Sequence, residues 1–239
     1  MVMEIAMPDI KLIPSVELRL ASFLEINRRR EHKESSNNGH KPGKTITISR
    51  EYGCEAYTAA ECLRQIMEKN SGQPWMLMDK GLLEEIARNN DLSATVLKNL
   101  GVNSRFLDEI LATFSSKWKS EMDHFKVLCR HIFSLAAQGN MILIGQGSSI
   151  ITQALKNCSH FRLYASHEFK VRFIIRRLGV SSEEAENIVT MRQKQRDSFI
   201  NGFFEHDAND LSPYNMVFNN DKNSAETIAR TIADYVTAV

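Results

Sequence analysis

Thr45-Ile46-Thr47-Ile48-Ser49-Arg50-Glu51-Tyr52-Gly53-Cys54-Glu55-Ala56-Tyr57-Thr58 is the stretch on which the reading of the fold turns. The β-branched run TITIS predicts a short strand. A turn at Tyr52-Gly53 follows, and then a helix over roughly Tyr57 to Lys69. Open α/β sheets collect ligands at the carboxyl ends of their strands. A helix N-terminus at that point offers unpaired N–H groups and positive potential to phosphates. The place therefore suits a phosphate, but the residues depart from the usual loop, G-x-x-x-x-G-K-[ST]. Only Gly53 stands for its glycines, and no lysine follows.

Outward from this joint, strand and helix signals alternate. Strands are expected at Pro74–Met78, at the fully apolar Met141–Ile144, at His160–Ala165 and around Met216–Phe218. The pattern from Lys80 to Gln138 is helical, broken near Gly101. Helices are also expected from Gly147 to about Lys156, from about His167 to Leu178 and from Ser182 to about Phe199, with Ser224 capping a last one to near Val236. Such alternation predicts an α/β fold with a parallel sheet and helices on both faces.

Composition narrows the class. The 239 residues are 43% hydrophobic and 25% charged, with a formal net charge of +1. Nothing in bulk calls for a nucleic-acid or membrane partner, and no stretch approaches the roughly 20 apolar residues of a membrane span. Cys54, Cys62, Cys129 and Cys158 form no C-x-x-C pair, which fits neither a disulfide framework nor a structural zinc site. A reducing cytoplasm is the expected location. Residues 1–44 read as a short amphipathic helix beginning near Ser15 and a polar linker, Glu31 to Lys44. Arg28, Arg29 and Arg30 suit the end of that helix. His124 and His131 are seven apart, with no further ligand at metal spacing. Trp75, Trp118 and Met76-Leu77-Met78 read as packing residues.

ITISREYG, the later Trp75-Met76-Leu77-Met78-Asp79-Lys80, Gly145-Gln146-Gly147 after MILI, Arg192-Gln193-Lys194-Gln195-Arg196 with Phe199, and Tyr214–Asn219 occur in the order found in the cytidylate-kinase-like family, which the chain resembles over roughly residues 45–239. The resemblance implies a three-layer P-loop kinase-like fold with a five-stranded parallel sheet, a helical substrate-binding insert at about residues 80–138 and a lid at about 179–212. It implies transfer of the ATP γ-phosphate, with Mg2+, to a pyrimidine nucleoside monophosphate such as CMP. By the same resemblance Arg192, Lys194 and Arg196 are catalytic lid cations. Arg50, Tyr52, Gly53, Cys54 and Thr58 would meet the donor phosphates, Thr58 reaching the Mg2+. Asp79, Lys80, Gly145, Gln146 and Gly147 would meet the substrate.

The departures fall on both sides of that expected site. A cytidylate-kinase loop would carry its lysine at Ala56, and Glu55 and Ala56 stand in place of two glycines. Glu55 brings negative charge towards a polyphosphate. Gln146 replaces an arginine expected to clasp the monophosphate, and a neutral amide cannot make that bidentate charged contact. Gln193 replaces an aspartate. A catalytically inactive nucleotide- or anion-binding regulatory module is therefore the alternative reading, and a docking or dimerisation role for the N-terminal helix is a third. Cys54 at a helix N-terminus admits either a reactive thiolate or a plain small-residue replacement. On the preceding helix, Arg172 and Arg176 share one face.

Overall fold

All five strands of the central sheet run parallel, in the order β2-β3-β1-β4-β5. The structure is a computed structural model and describes residues 14–34, 42–97 and 119–239. The elements in chain order are α1 (Val16–Glu34), β1 (Thr45–Arg50), α2 (Ala56–Ser71), β2 (Met76–Met78), α3 (Lys80–Arg88), α4 (Asn90–Leu97), α5 (Lys119–Gln138), β3 (Met141–Ile144), α6 (Ser148–Ile151), β4 (Cys158–Tyr164), α7 (His167–Leu178), α8 (Ser182–Phe204), β5 (Met216–Asn219) and α9 (Ala225–Ala238).

A strand covered on both faces needs apolar residues on both, and the chain supplies them. Ile46, Ile48, Ile142, Ile144, Phe161 and Leu163 face a layer made by α2 and α9. Met76, Met78, Met141 and Leu143 face the opposite layer, with Leu82, Ile86, Phe125, Ile132 and Phe133 of α3 and α5. Thr47 and His160 also lie opposite each other across β1 and β4, and their buried side chains join through a 2.9 Å Thr47 Oγ1–His160 Nδ1 hydrogen bond. Burial pushes the His160 imidazole down to about 4.

Helix ends follow the capping residues. Asp79, Ser166, Ser181 and Ser224 accept from the third residue of α3, α7, α8 and α9 in turn. The helix expected to continue to Lys156 is shorter. After Ile151 the chain steps down through turn bonds Gln153 N–H to Ile150 O, Leu155 N–H to Thr152 O and Cys158 N–H to Leu155 O. These i,i+3 bonds replace the helical ladder, because the chain must return to Cys158, which pairs with Thr45 at the sheet's opposite end.

α1 belongs to the second core layer. Phe23 is wholly buried there, with Leu20 and Ile26 against it. Residues 31–34, read as the start of the linker, continue α1. Residues 35–41, the break near Gly101 and Trp118 lie outside the described residues, as does the side chain of His124. α4 is held to α5 by Ser134 Oγ donating to Val96 O and by the hydrogen bond between His131 Nε2 and Ser93 Oγ.

The crossover from β1 passes through α2 to β2, beyond β3, whereas that from β3 passes through α6 to β4, beyond β1. The two leave in opposite directions, so a crevice opens at the carboxyl ends of β1 and β3.

Candidate functional site

The crevice is a cavity of about 470 Å³ whose lining includes Arg50, Tyr52, Lys80, Gly145, Gln146, Gly147, Arg192 and Arg196. Four cations line it, and among the described residues no carboxylate does. Arg50 ends β1 and lies flat on Gly145: a Cβ there would be 1.8 Å from Arg50 Nη1. Gly145, Gln146 and Gly147 have φ of 71°, 58° and 68°, three left-handed residues in succession. Glycine takes that conformation freely, and Gln146 holds it at a cost of order 1–3 kcal/mol. At Gly147 a Cβ would meet the Phe204 ring at 2.2 Å. The turn therefore exists so that a guanidinium and a ring can approach the backbone.

Arg196 stands beside Arg50. Its Nη1 donates to Arg50 O at 3.1 Å, and its guanidinium lies 5.1 Å from the centre of the Tyr52 ring. Burial, reinforced by Arg196, pulls the Arg50 guanidinium down to about 9. It stays charged at neutral pH, and no side-chain ion pair is made to it among the described residues. Both guanidiniums are half-buried, and cations so placed without an ion pair favour an anion beside them. Arg196 is likewise lowered, first by burial.

α8 carries the expected lid cations. It is docked on α5, with Phe199, Phe203 and Phe204 packed around Phe125 at centroid distances of 5.2, 4.4 and 5.4 Å. Arg192 reaches the cavity and donates to Gln195 Oε1. Lys194 is exposed and does not line it. Arg172, Arg176 and Arg177 of α7 lie outside it too, and Arg172 pairs with Glu168.

At the phosphate-loop position, several donors are already engaged. Tyr52 N–H donates to Gln193 Oε1 at 2.8 Å, and Glu55 N–H donates to Asn220 Oδ1 at 2.8 Å. Gly53, φ 92°, lies under α7, where an added Cβ would be 2.7 Å from Lys170 Cβ. Lys170 Nζ pairs with Glu51 Oε2 at 2.8 Å. What stays open is the first turn of α2 at Ala56, Tyr57 and Thr58, since Glu55 makes no side-chain cap. Thr58 is half-buried and does not line the cavity. Cys54 is buried, and burial pushes its thiol up to about 12, opposite to what a reactive thiolate requires.

Of the expected substrate residues, Lys80 lines the cavity. Asp79 is turned towards α1. It accepts from Leu82 N–H at 3.0 Å and pairs with Arg19 Nη1 at 2.7 Å, the latter off the hydrogen-bond axis. The cavity thus brings together Arg50, Tyr52, Lys80, Gly145, Gln146, Gly147, Arg192 and Arg196. Cys54 and Gly53 lie just behind it in the turn, and Asp79, Thr58 and Lys194 lie apart.

Four residues that sequence reasoning passed over shape the site: Glu51, Lys170, Asn220 and Arg162. Arg162 carried a signal, a charge between apolar neighbours in the strand HFRLYA. The others have no local signature.

The donor set fits a nucleotide's phosphates, which arginine forks recognise through paired charged hydrogen bonds. It offers nothing to Mg2+, which is ordinarily held by one or two carboxylates plus substrate phosphates. Among the described residues no group of three or more His, Cys, Asp or Glu side chains could hold a metal ion. No helix among them is long and apolar enough to cross a membrane.

Residues 45–222 match the sequence model of the cytidylate kinase-like family. Compared with curated proteins, the chain matches none. Among solved structures it is similar to an uncharacterized protein from Eubacterium ventriosum, at 18% identity over 82% of this chain and 99% of that one, with a TM-score of 0.65. Shikimate kinase from Bacteroides thetaiotaomicron aligns at 11% identity over 81% of this chain and 98% of that one, with a TM-score of 0.43.

Proposed function

The chain belongs to the cytidylate kinase-like family, and from that premise we propose that it is a nucleoside monophosphate kinase-like phosphotransferase, moving the ATP γ-phosphate to a pyrimidine nucleoside monophosphate such as CMP. One observation carries the reading: a crevice at the switch point of a parallel sheet, lined by Arg50, Lys80, Arg192 and Arg196 and by no carboxylate among the described residues. Phosphoryl transfer depends mainly on positioning and on stabilising charge on the transferring group, and these cations suit both tasks. Arg196 is fixed by Arg50 O and the Tyr52 ring, so its charge is held in place before ligand arrives. Gln146 and Lys80 face the acceptor, and the first turn of α2 offers its N–H groups to the donor. The test is turnover of CMP, dCMP and UMP with ATP and Mg2+. Absence of product at high enzyme concentration would sink it.

A specific observation favours a second reading, a nucleotide- or anion-binding module without transfer. Tyr52 N–H and Glu55 N–H are taken by Gln193 and Asn220, and Glu55 adds negative charge at the start of α2. This reading expects calorimetric binding of CMP or ATP with no product formed, and binding of neither would remove it.

A further inference from the structure

Beneath α8 the crevice continues into a recess of about 40 Å³. Arg50 and Arg196 line both spaces, and Arg162, on β4, lines the recess alone. Arg162 is 8% exposed. Its Nη1 donates to Ala208 O, and its guanidinium lies 5.7 Å from the centre of the Tyr214 ring. It makes no ion pair among the described residues. Two carboxylates border the recess as well: Asp197 accepts from Gln193 Nε2, itself a lining residue, and Asp207 accepts from Asn209 N–H. His206, also bordering it, faces Asp210 at 3.3 Å. Three guanidiniums and two carboxylates thus line one small space, an excess of positive charge, and none of the three guanidiniums is ion-paired among the described residues. A water needs about 10–15 Å³ of such volume, so the recess has room for a few waters or one compact oxyanion and for nothing larger. Arg162 is buried and Arg50 and Arg196 are half-buried; guanidiniums so placed without an ion pair are disfavoured, and an anion bound among them would gain charge-assisted, bidentate hydrogen bonds.

We propose that this recess is a subsite for one tetrahedral oxyanion, inorganic phosphate or the terminal group of a phosphomonoester, with Arg162 adding its charge to those of Arg50 and Arg196. The inference stands independently of phosphoryl transfer, because it concerns binding alone. It also adds a specificity element: a phosphodiester, whose phosphorus carries a second ester chain, would not fit.

The test uses the full chain without ATP. Inorganic phosphate is titrated while the side-chain Nε–Hε signal of Arg162 is followed by NMR and affinity is read by calorimetry. We expect saturable movement of the Arg162 signal and at least a tenfold weaker phosphate affinity in Arg162→Gln, which keeps a donor for Ala208 O. If that variant does not fold, the Arg162 signal of the wild-type chain still decides. CMP and cytidine separate the sources. Movement with CMP but not cytidine identifies a phosphomonoester subsite, and movement with phosphate alone identifies a free-ion subsite. A silent Arg162 signal at saturating phosphate and CMP, or equal affinity in Arg162→Gln, overturns the proposal. ATP-to-CMP transfer with a silent Arg162 would sink only the subsite, and a responsive Arg162 without transfer would sink only the kinase reading.

Discussion

The side-chain oxygen of Gln193, midway along α8, accepts the backbone N–H of Tyr52 at 2.8 Å, while its amide nitrogen donates to Asp197 at 2.8 Å. One neutral side chain thereby ties α8 to the turn between β1 and α2. Gln193→Ala should lower global stability by about 1 kcal/mol, the net worth of such a bond. Amide hydrogen exchange at Tyr52 should quicken by about an order of magnitude. Unchanged exchange at Tyr52 would show that the tie carries no energy.

Arg196→Ala should reduce kcat/KM for CMP phosphorylation by about a hundredfold or more, since a positioned arginine acting on transferring phosphate is worth that much or more. Steady-state kinetics with ATP and CMP make the measurement. An effect below threefold would place Arg196 in structural support only.

Gln146→Arg should tighten the monophosphate side. Position 146 already holds a left-handed backbone with a long side chain, so an arginine adds little strain there. It would add a charged contact worth about 1.5–3 kcal/mol, which corresponds to roughly a tenfold or greater fall in KM for CMP. An unchanged KM would mean that position 146 does not meet the acceptor.

His160 predicts a pH dependence of stability. Its folded value, about 4, lies below its ordinary value, so the unfolded chain binds more protons between about pH 4 and 6.5. Stability should be full above pH 6.5 and fall by up to about 3 kcal/mol as pH drops to 4. His131, also lowered by burial, adds to the same window. Urea unfolding at pH 7, 5.5 and 4.5 reads the slope, which His160→Asn should reduce and not abolish.

Phe23→Ala should cost about 3–5 kcal/mol, because the ring is wholly buried in the layer shared with α3 and α5. Chemical denaturation would measure it. A loss under 1 kcal/mol would indicate that α1 is an appendage.

The legible parts of this molecule are those with a local cause. MILI is a four-residue apolar run bounded by Gly139-Asn140 and Gly145, and β3 has those bounds. α7 starts after a serine cap and stops at a left-handed Gly179, so its limits were visible too. The crevice was legible as a place, from the strand–turn–helix joint and the ordered motifs. Its wiring was not. The bonds from Gln193 to Tyr52 and from Asn220 to Glu55 span 141 and 165 residues, and such a contact leaves no period in the sequence. Asp79 illustrates the same limit. Its place before α3 was plain, but its engagement by Arg19 depends on where α1 packs.

The order of the strands has a last consequence. The longest strands, β4 and β1, with seven and six residues, lie inside the sheet, and its two margins are β2 and β5, with three and four. At about 3.3 Å per residue, a foreign strand would find only about 10–13 Å of unpaired backbone on either side. Margins so short resist runaway pairing between molecules, so a chain built on an all-parallel apolar sheet is guarded against self-aggregation by its topology.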